Sequence, residues 1–142
     1  MRWLAAQGFV VTGIDRDSAA LAGLQGTGRS VLADIENGPW PLPGERFDAV
    51  IVTNYLWRML WPQLLASLGE RGVLIYETFA LGNEVFGKPA NPDFLLRPGE
   101  LLEACRGLHV VAFEDGLLDA PMRRMQRIVA TAGPAGEARH RL

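Results

Sequence analysis

The sequence predicts an α/β fold: a mostly parallel sheet flanked by helices and ending in an antiparallel strand pair. Three observations carry this. Short apolar, β-branched runs alternate with helical segments from residue 9 to residue 108; the last two such runs, HVVAFE and QRIVAT, have no helical segment between them; and Asp15, Asp34, Asn54 and Glu77 stand at or near strand ends. Alternation implies parallel strands with helical crossovers. Two strands without a crossover must pair antiparallel.

The elements follow in order. Residues 2–7 read as the last turns of a helix that Gly8 stops, glycine being favoured just past a helix end. Phe9 to Ile14 is apolar and short enough for a strand buried on both faces, closed by Asp15. Asp17 caps a helix carrying Ala19, Ala20, Leu21 and Leu24, which Gly26 ends. Ser30 to Ile35 is the next strand, and ENGPWPLPGER after it is loop. FDAVIVT, residues 47–53, is the strongest strand. Pro62 suits the first position of a helix running to Leu68, with Gly69 and Gly72 as its stop. Val73 to Phe79 is a further strand, and the long polar stretch 80–99 reads as a lid or substrate loop. A helix over 99–105 precedes the two closing strands, 109–114 and 126–131, joined by GLLDAPMRRM. Residues 1–132 are thus expected to form one domain and 133–142 a disordered polar tail.

Composition bounds the function. With 142 residues, 49% hydrophobic, 21% charged and a net charge of −2, the chain is an ordinary globular sequence able to bury a core. No basic face suggests nucleic acid, and no apolar run approaches the roughly 18 residues of a membrane span. No signal peptide is visible, so a cytoplasmic protein is expected. The single Cys105 cannot form an internal disulfide, and with only His109 and His140 beside it no metal site is expected.

The polar residues at strand exits are the candidate site, because ligands of open α/β sheets bind beyond the carboxyl ends of the strands. Asp15 offers two acceptor oxygens to a ribose, or is a polar strand terminator. Asp34 with Ile35 offers an acceptor for an exocyclic amine and an apolar cover for a ring, or caps its own loop. Asn54 and Tyr55 face the reactive end of a ligand or make a turn. Candidate substrate contacts are Trp57, Arg58, Glu77, Lys88 and Phe94. The structural alternatives are core packing for Trp57 and Trp61, a solvent-reaching Arg58 and a solvated loop for Lys88 and Phe94. Arg123, Arg124 and Arg127 read as surface charge, and Cys105 as a buried apolar residue.

Taken together, VTGIDRD, ADIENGPWPLPGERFDAVIVTNYL, GVLIYETF and the pair HVVAFED and MQRIVATA resemble the class I S-adenosylmethionine-dependent methyltransferases. The resemblance spans residues 2–132 and is strongest to small bacterial stand-alone members of the tellurite-resistance type. It implies a Rossmann-like fold, S-adenosylmethionine as cofactor and a small-molecule acceptor. Asp15 and Arg16 would lie at the ribose, Asp34 and Ile35 at the adenine, and Asn54 and Tyr55 beside the methyl-transfer pocket. The family's first strand and glycine-rich loop have no counterpart, MRWLAAQG resembling the middle of the helix after that loop. The expectation is therefore an N-terminally truncated chain with impaired cofactor binding. Two other readings stand beside it: a dinucleotide-dependent oxidoreductase, which also uses an acid at Asp15, and a non-catalytic fragment that binds a partner. Oligomeric state is not legible.

Overall fold

The computed structural model describes residues 1–24 and 26–133. The expected tail from residue 134 onward, with His140, lies outside the described residues. The chain divides into two compact units, Met1–Pro43 and Gly44–Leu142.

The first unit contains helix α1 (Arg2–Ala6), strand β1 (Thr12–Asp15), helix α2 (Ser18–Ala22) and strand β2 (Arg29–Leu32). Asp17 caps α2 as its sequence predicts, its carboxylate accepting from the Ala19 and Ala20 amides at 2.8 and 3.3 Å. β1 and β2 pair in parallel, Thr12 opposite Arg29 and Asp15 opposite Leu32. The expected strand from Phe9, buried on both faces, is corrected. Gly8 takes φ +87° after α1, and the Phe9 amide folds back onto the Leu4 carbonyl. The strand starts only at Thr12, leaving Phe9 and Val10 exposed. β2 likewise ends at Leu32 rather than Ile35, because the chain turns around Asp34. Of this unit's described residues only Leu21 and Leu42 count among the buried apolar side chains.

The second unit is a four-stranded sheet in the order β3-β4-β6-β5, with β3 Phe47–Thr53, β4 Leu68–Phe79, β5 His109–Asp119 and β6 Met122–Thr131. β3 and β4 are parallel, joined through helix α3 (Trp61–Ala66), and β6 pairs antiparallel with both β4 and β5. The terminal antiparallel pair is thus present, and it is longer than its apolar cores suggest. GLLDAPMRRM is not a loop: all but Ala120 and Pro121 belong to the strands. Gly69 and Gly72 do not end a helix in open loop, since α3 stops at Ala66 and β4 begins at Leu68. A Cβ at Gly72 would lie 2.8 Å from the Gly69 amide nitrogen and 2.9 Å from the Phe47 carbonyl oxygen. Glycine is required there by close backbone approach, where the β3–β4 register shifts.

Along β4 the faces alternate. Leu74, Tyr76 and Thr78 are buried, and Ile75 between them is 38% exposed. Leu74 packs in a core with Leu95, Leu96, Leu101, Cys105 and Ile128, all at most 1% exposed, with helix α4 (Glu100–Ala104) contributing Leu101. The opposite face is more open: one apolar row, Ile51–Ile75–Val129–Ala112, crosses all four strands, with Ile51, Ile75 and Ala112 exposed, beside the charged row Glu77–Arg127–Glu114. No helix among the described residues is long and apolar enough to cross a membrane.

The alternation sets a contrast between adjacent residues. Leu74→Ala is expected to destabilise the chain by about 2–5 kcal/mol, the range for emptying a packed core position. Ile75→Ala, on the open face, should cost about 1 kcal/mol or less. Urea denaturation of both variants checks this; equal losses would mean that the open face is covered in solution.

Candidate functional site

The candidate residues fall in both units. In the first, the parallel pairing puts Asp15 and the turn after β2 at the same, carboxyl end of the two strands. Asp15 is exposed; its Oδ1 accepts from the Asp17 amide at 2.9 Å, and its Oδ2 has no partner among the described residues. Asp34 is more heavily used. Its Oδ1 accepts from the Glu36 and Asn37 amides at 3.0 and 3.2 Å, and its Oδ2 from Asn37 Nδ2 at 3.0 Å. The Asn37 side chain, followed by those two amides, holds the Asp34 carboxyl below its ordinary value. Asp34 therefore caps its own loop, and an amine donor would have to share or displace Asn37. Ile35 is half-buried beside it. Arg16 and Glu36 approach to 4.0 Å across the turn.

In the second unit the exit of β3 is built with more constraint. Asn54 is the one non-glycine residue with positive φ (54°) among those described. That conformation is costly for most side chains and tolerated by asparagine. It is held by neighbours: the Asn54 amide donates to the Glu77 carbonyl at 2.9 Å, and the Tyr76 hydroxyl donates to the Tyr55 carbonyl at 2.7 Å. The Trp61 ring stacks on Tyr76 with centroids 4.7 Å apart. Burial of the Tyr76 phenol raises its pKa far above the ordinary range, so it remains a donor. Asn54 itself projects from an exposed position.

Arg58 braces the same exit. Its Nε and Nη2 donate to Glu100 at 2.6 and 2.9 Å, its Nη1 to the Asp93 carbonyl at 2.7 Å and its Nη2 to the Leu95 carbonyl at 2.9 Å. Four of its five N–H donors are thus engaged by the protein. Burial pushes the Glu100 carboxyl up, but the bonds from Arg58 and from the Arg97 amide at 2.8 Å outweigh it and hold it below its ordinary value. Glu77 is similarly engaged: its carboxylate pairs with Arg127, whose Nη1 also reaches Glu114 at 3.3 Å. Arg124 pairs with Asp115 at 3.2 Å. Two of the three arginines read as free surface charge are therefore cross-strand ion pairs.

Trp57 is half-buried, while Phe94 is 44% exposed in the short turn Pro92–Phe94 and Lys88 is exposed without an ion pair among the described residues. The 80–99 stretch is anchored rather than free. The Leu81 amide donates to Leu96 and the Leu96 amide to Phe79, both at 2.9 Å, and buried Asn83 bonds Pro89 and the Arg124 amide, both at 3.1 Å. Cys105 is buried, and burial raises its thiol to about 11, which leaves it an apolar core residue. No group of three or more metal-ligating side chains gathers among the described residues. Sequence reasoning missed Tyr76, Glu100 and Gln126, which position the site without entering it. Their signal is faint, because each stands among other polar residues and nothing in the sequence marks it as the buried one.

With this geometry in hand, the comparison with solved structures is decisive for the fold. No family model matches the chain, and no curated protein matches it in sequence. The crystal structure of TehB from Haemophilus influenzae superposes with a TM-score of 0.71 at 18% identity, over 91% of this chain and 52% of that one. The N-methyltransferase NodS from Bradyrhizobium japonicum WM9 gives 0.67 at 14% identity, over 88% of this chain and 74% of NodS. The fold is that of the class I methyltransferases. The 1,6-didemethyltoxoflavin-N1-methyltransferase of Burkholderia thailandensis shares this methyltransferase fold, with a TM-score of 0.65 at 18% identity, over 93% of this chain and 65% of that one. The chain thus spans about half the length of TehB and about two thirds to three quarters of the other two.

The Glu100 carboxylate links stability to acid. Its folded pKa lies below the ordinary value of 4.5. Its contribution is thus fully present above that value and is lost as pH falls through the lower, folded one. Glu100→Gln should destabilise the chain by about 2 kcal/mol at pH 7, less than the ~3–5 for a wholly buried pair because Arg58 keeps some solvent. The variant should also lose part of the wild-type fall in stability below pH 4.5. Denaturation midpoints between pH 3 and pH 7 check both; an unchanged acid slope would mean that Arg58 does not lower this carboxyl.

Proposed function

We propose that this chain carries the cofactor half-site and acceptor edge of an S-adenosylmethionine-dependent methyltransferase acting on a small molecule. The observation that carries the reading is the exposed Asp15 carboxylate with its unused Oδ2, at the carboxyl end of β1 in a chain of methyltransferase fold. Two solved neighbours bear on the cofactor: the Burkholderia enzyme and NodS are described with bound S-adenosylhomocysteine.

The residues present fit that group. Asp15 Oδ2 can accept from a ribose hydroxyl, with Arg16 beside it; Ile35 offers an apolar surface to a ring, and Asp34 an acceptor once Asn37 yields. The cofactor, when bound, supplies a methyl group on a positively charged sulfur. Such chemistry depends on alignment more than on a dedicated base. Asn54 and Tyr55, fixed by Glu77 and Tyr76, are the residues that the resemblance to the methyltransferases would assign to the methyl-transfer pocket. A non-catalytic, partner-binding role is the second reading, and the open apolar row Ile51–Ile75 favours it.

Calorimetry with S-adenosylmethionine, S-adenosylhomocysteine and NAD tests the assignment. The first two should bind, NAD should not, and Asp15→Ala should weaken binding about 10- to 100-fold, the cost of one charge-assisted hydrogen bond to a ligand. A folded chain that binds neither S-adenosyl compound would move the partner-binding role to first place, and a preference for NAD would favour the oxidoreductase.

A further inference from the structure

A cavity of about 250 Å³ lies in the second unit, between the end of β4, the 83–88 segment and the tip of the β5–β6 hairpin. Its walls are apolar and partly aromatic, from Phe79, Phe86, Pro121 and Met122. Lys88 and Arg123 are its charged lining groups, and no carboxylate lines it. Arg123 is half-buried, and its guanidinium has no carboxylate partner among the described residues. Its sequence neighbour Arg124 is neutralised by Asp115. A guanidinium without a carboxylate partner, beside an ammonium and an apolar wall, is available to pair with an incoming anion.

The walls are firmly placed. Asn83, 2% exposed, uses its amide to hold the Pro89 carbonyl and accepts from the Arg124 backbone, so the 83–89 segment is bonded to the hairpin beside Arg123. The Ala80 amide donates to the Arg124 carbonyl at 3.0 Å from the other side. A pocket fixed in this way does not have to be assembled by its ligand, which lowers the ordering cost of binding.

We infer that this cavity is a binding site for a small aromatic carboxylate, its ring between Phe79, Phe86 and Met122 and its carboxylate paired with the Arg123 guanidinium and Lys88. A phosphate group fits less well, since one guanidinium and one ammonium line the cavity and the rest of its wall is largely apolar. The cavity begins at Phe79, the carboxyl end of β4, and β4 runs parallel to β3, whose exit carries Asn54. That the bound carboxylate is the methyl acceptor rests on the function proposed above; that the cavity binds it does not.

The test uses 2-naphthoate and its uncharged analogue 2-naphthamide with the full chain, without cofactor, followed by chemical-shift mapping. Naphthoate should shift resonances of Phe79, Phe86, Lys88 and Met122, and the amide should bind at least tenfold more weakly. Arg123→Gln should weaken naphthoate at least tenfold, whereas Arg124→Gln, which removes the same charge from a paired side chain, should leave affinity within twofold. Lys88→Gln should weaken it severalfold, and this variant with the amide comparison decides the matter if Arg123→Gln does not fold. No naphthoate binding at millimolar concentration, equal binding of the amide, or equal losses for the two arginine variants would each overturn the inference. Because cofactor is absent throughout, failure here leaves the calorimetric test of S-adenosylmethionine binding untouched, and the reverse holds as well.

Discussion

The second unit is organised around one buried carboxylate. Glu100 sits at the first turn of α4, 6% exposed, and accepts from two Arg58 nitrogens and the Arg97 backbone. Through Arg58 it reaches the segment after β3; through Arg97 it fixes the approach to α4; and Arg58 also gathers the Asp93 and Leu95 carbonyls. Burying a carboxylate is affordable only when its lone pairs are filled by charged or backbone donors. Here the donors come from chain segments about 40 residues apart. The requirement that they converge places the β3 exit, the 93–97 stretch and α4 together, and everything at the carboxyl edge of the parallel pair inherits that placement.

Gln126 performs the neutral counterpart of this task. Fully buried in β6, it donates to the Arg97 carbonyl at 2.7 Å and accepts from the Leu101 amide at 3.3 Å, tying the central sheet to the same turn of α4. The two polar anchors flank Leu95, Leu96 and Leu101, which supply the apolar burial. Apolar contacts are non-directional and tolerate sliding, whereas these hydrogen bonds admit one register. The combination explains why an outwardly polar, glycine- and proline-containing stretch such as 80–99 is held firmly enough to wall a cavity.

Much of the fold was legible because periodicity and burial agree where a strand is central. The run from Val73 to Phe79 forms β4, paired on both sides, and its alternate residues are buried, whereas FDAVIVT is legible from its apolar residues alone, since β3 is an edge strand with no buried residue. At the exposed hairpin tip the signal fails: Leu117, Asp119 and Met122 are exposed, so the tip reads as a loop although its ladder continues to Asp119 and Met122. Phe9 and Val10 mislead in the opposite sense, being apolar yet exposed. The acids at strand exits could be located by pattern, but their hydrogen-bond partners could not. Whether Asp34 is free or spent on its own loop depends on Asn37 adopting one turn, and whether Arg58 is free depends on Glu100, 42 positions away. Sequence fixes which groups exist; only the packed chain decides which are already used.

The pairing order of the sheet has a kinetic consequence. β5 and β6 are joined by Ala120 and Pro121 alone, so their ladder zips from a closure that orders very little chain. β4 meets β6 only across the whole of residues 80–121, and closing a loop longer by that much costs about 2–3 kcal/mol more in chain entropy. The β5–β6 hairpin is therefore the natural nucleus, and the β4–β6 ladder follows it.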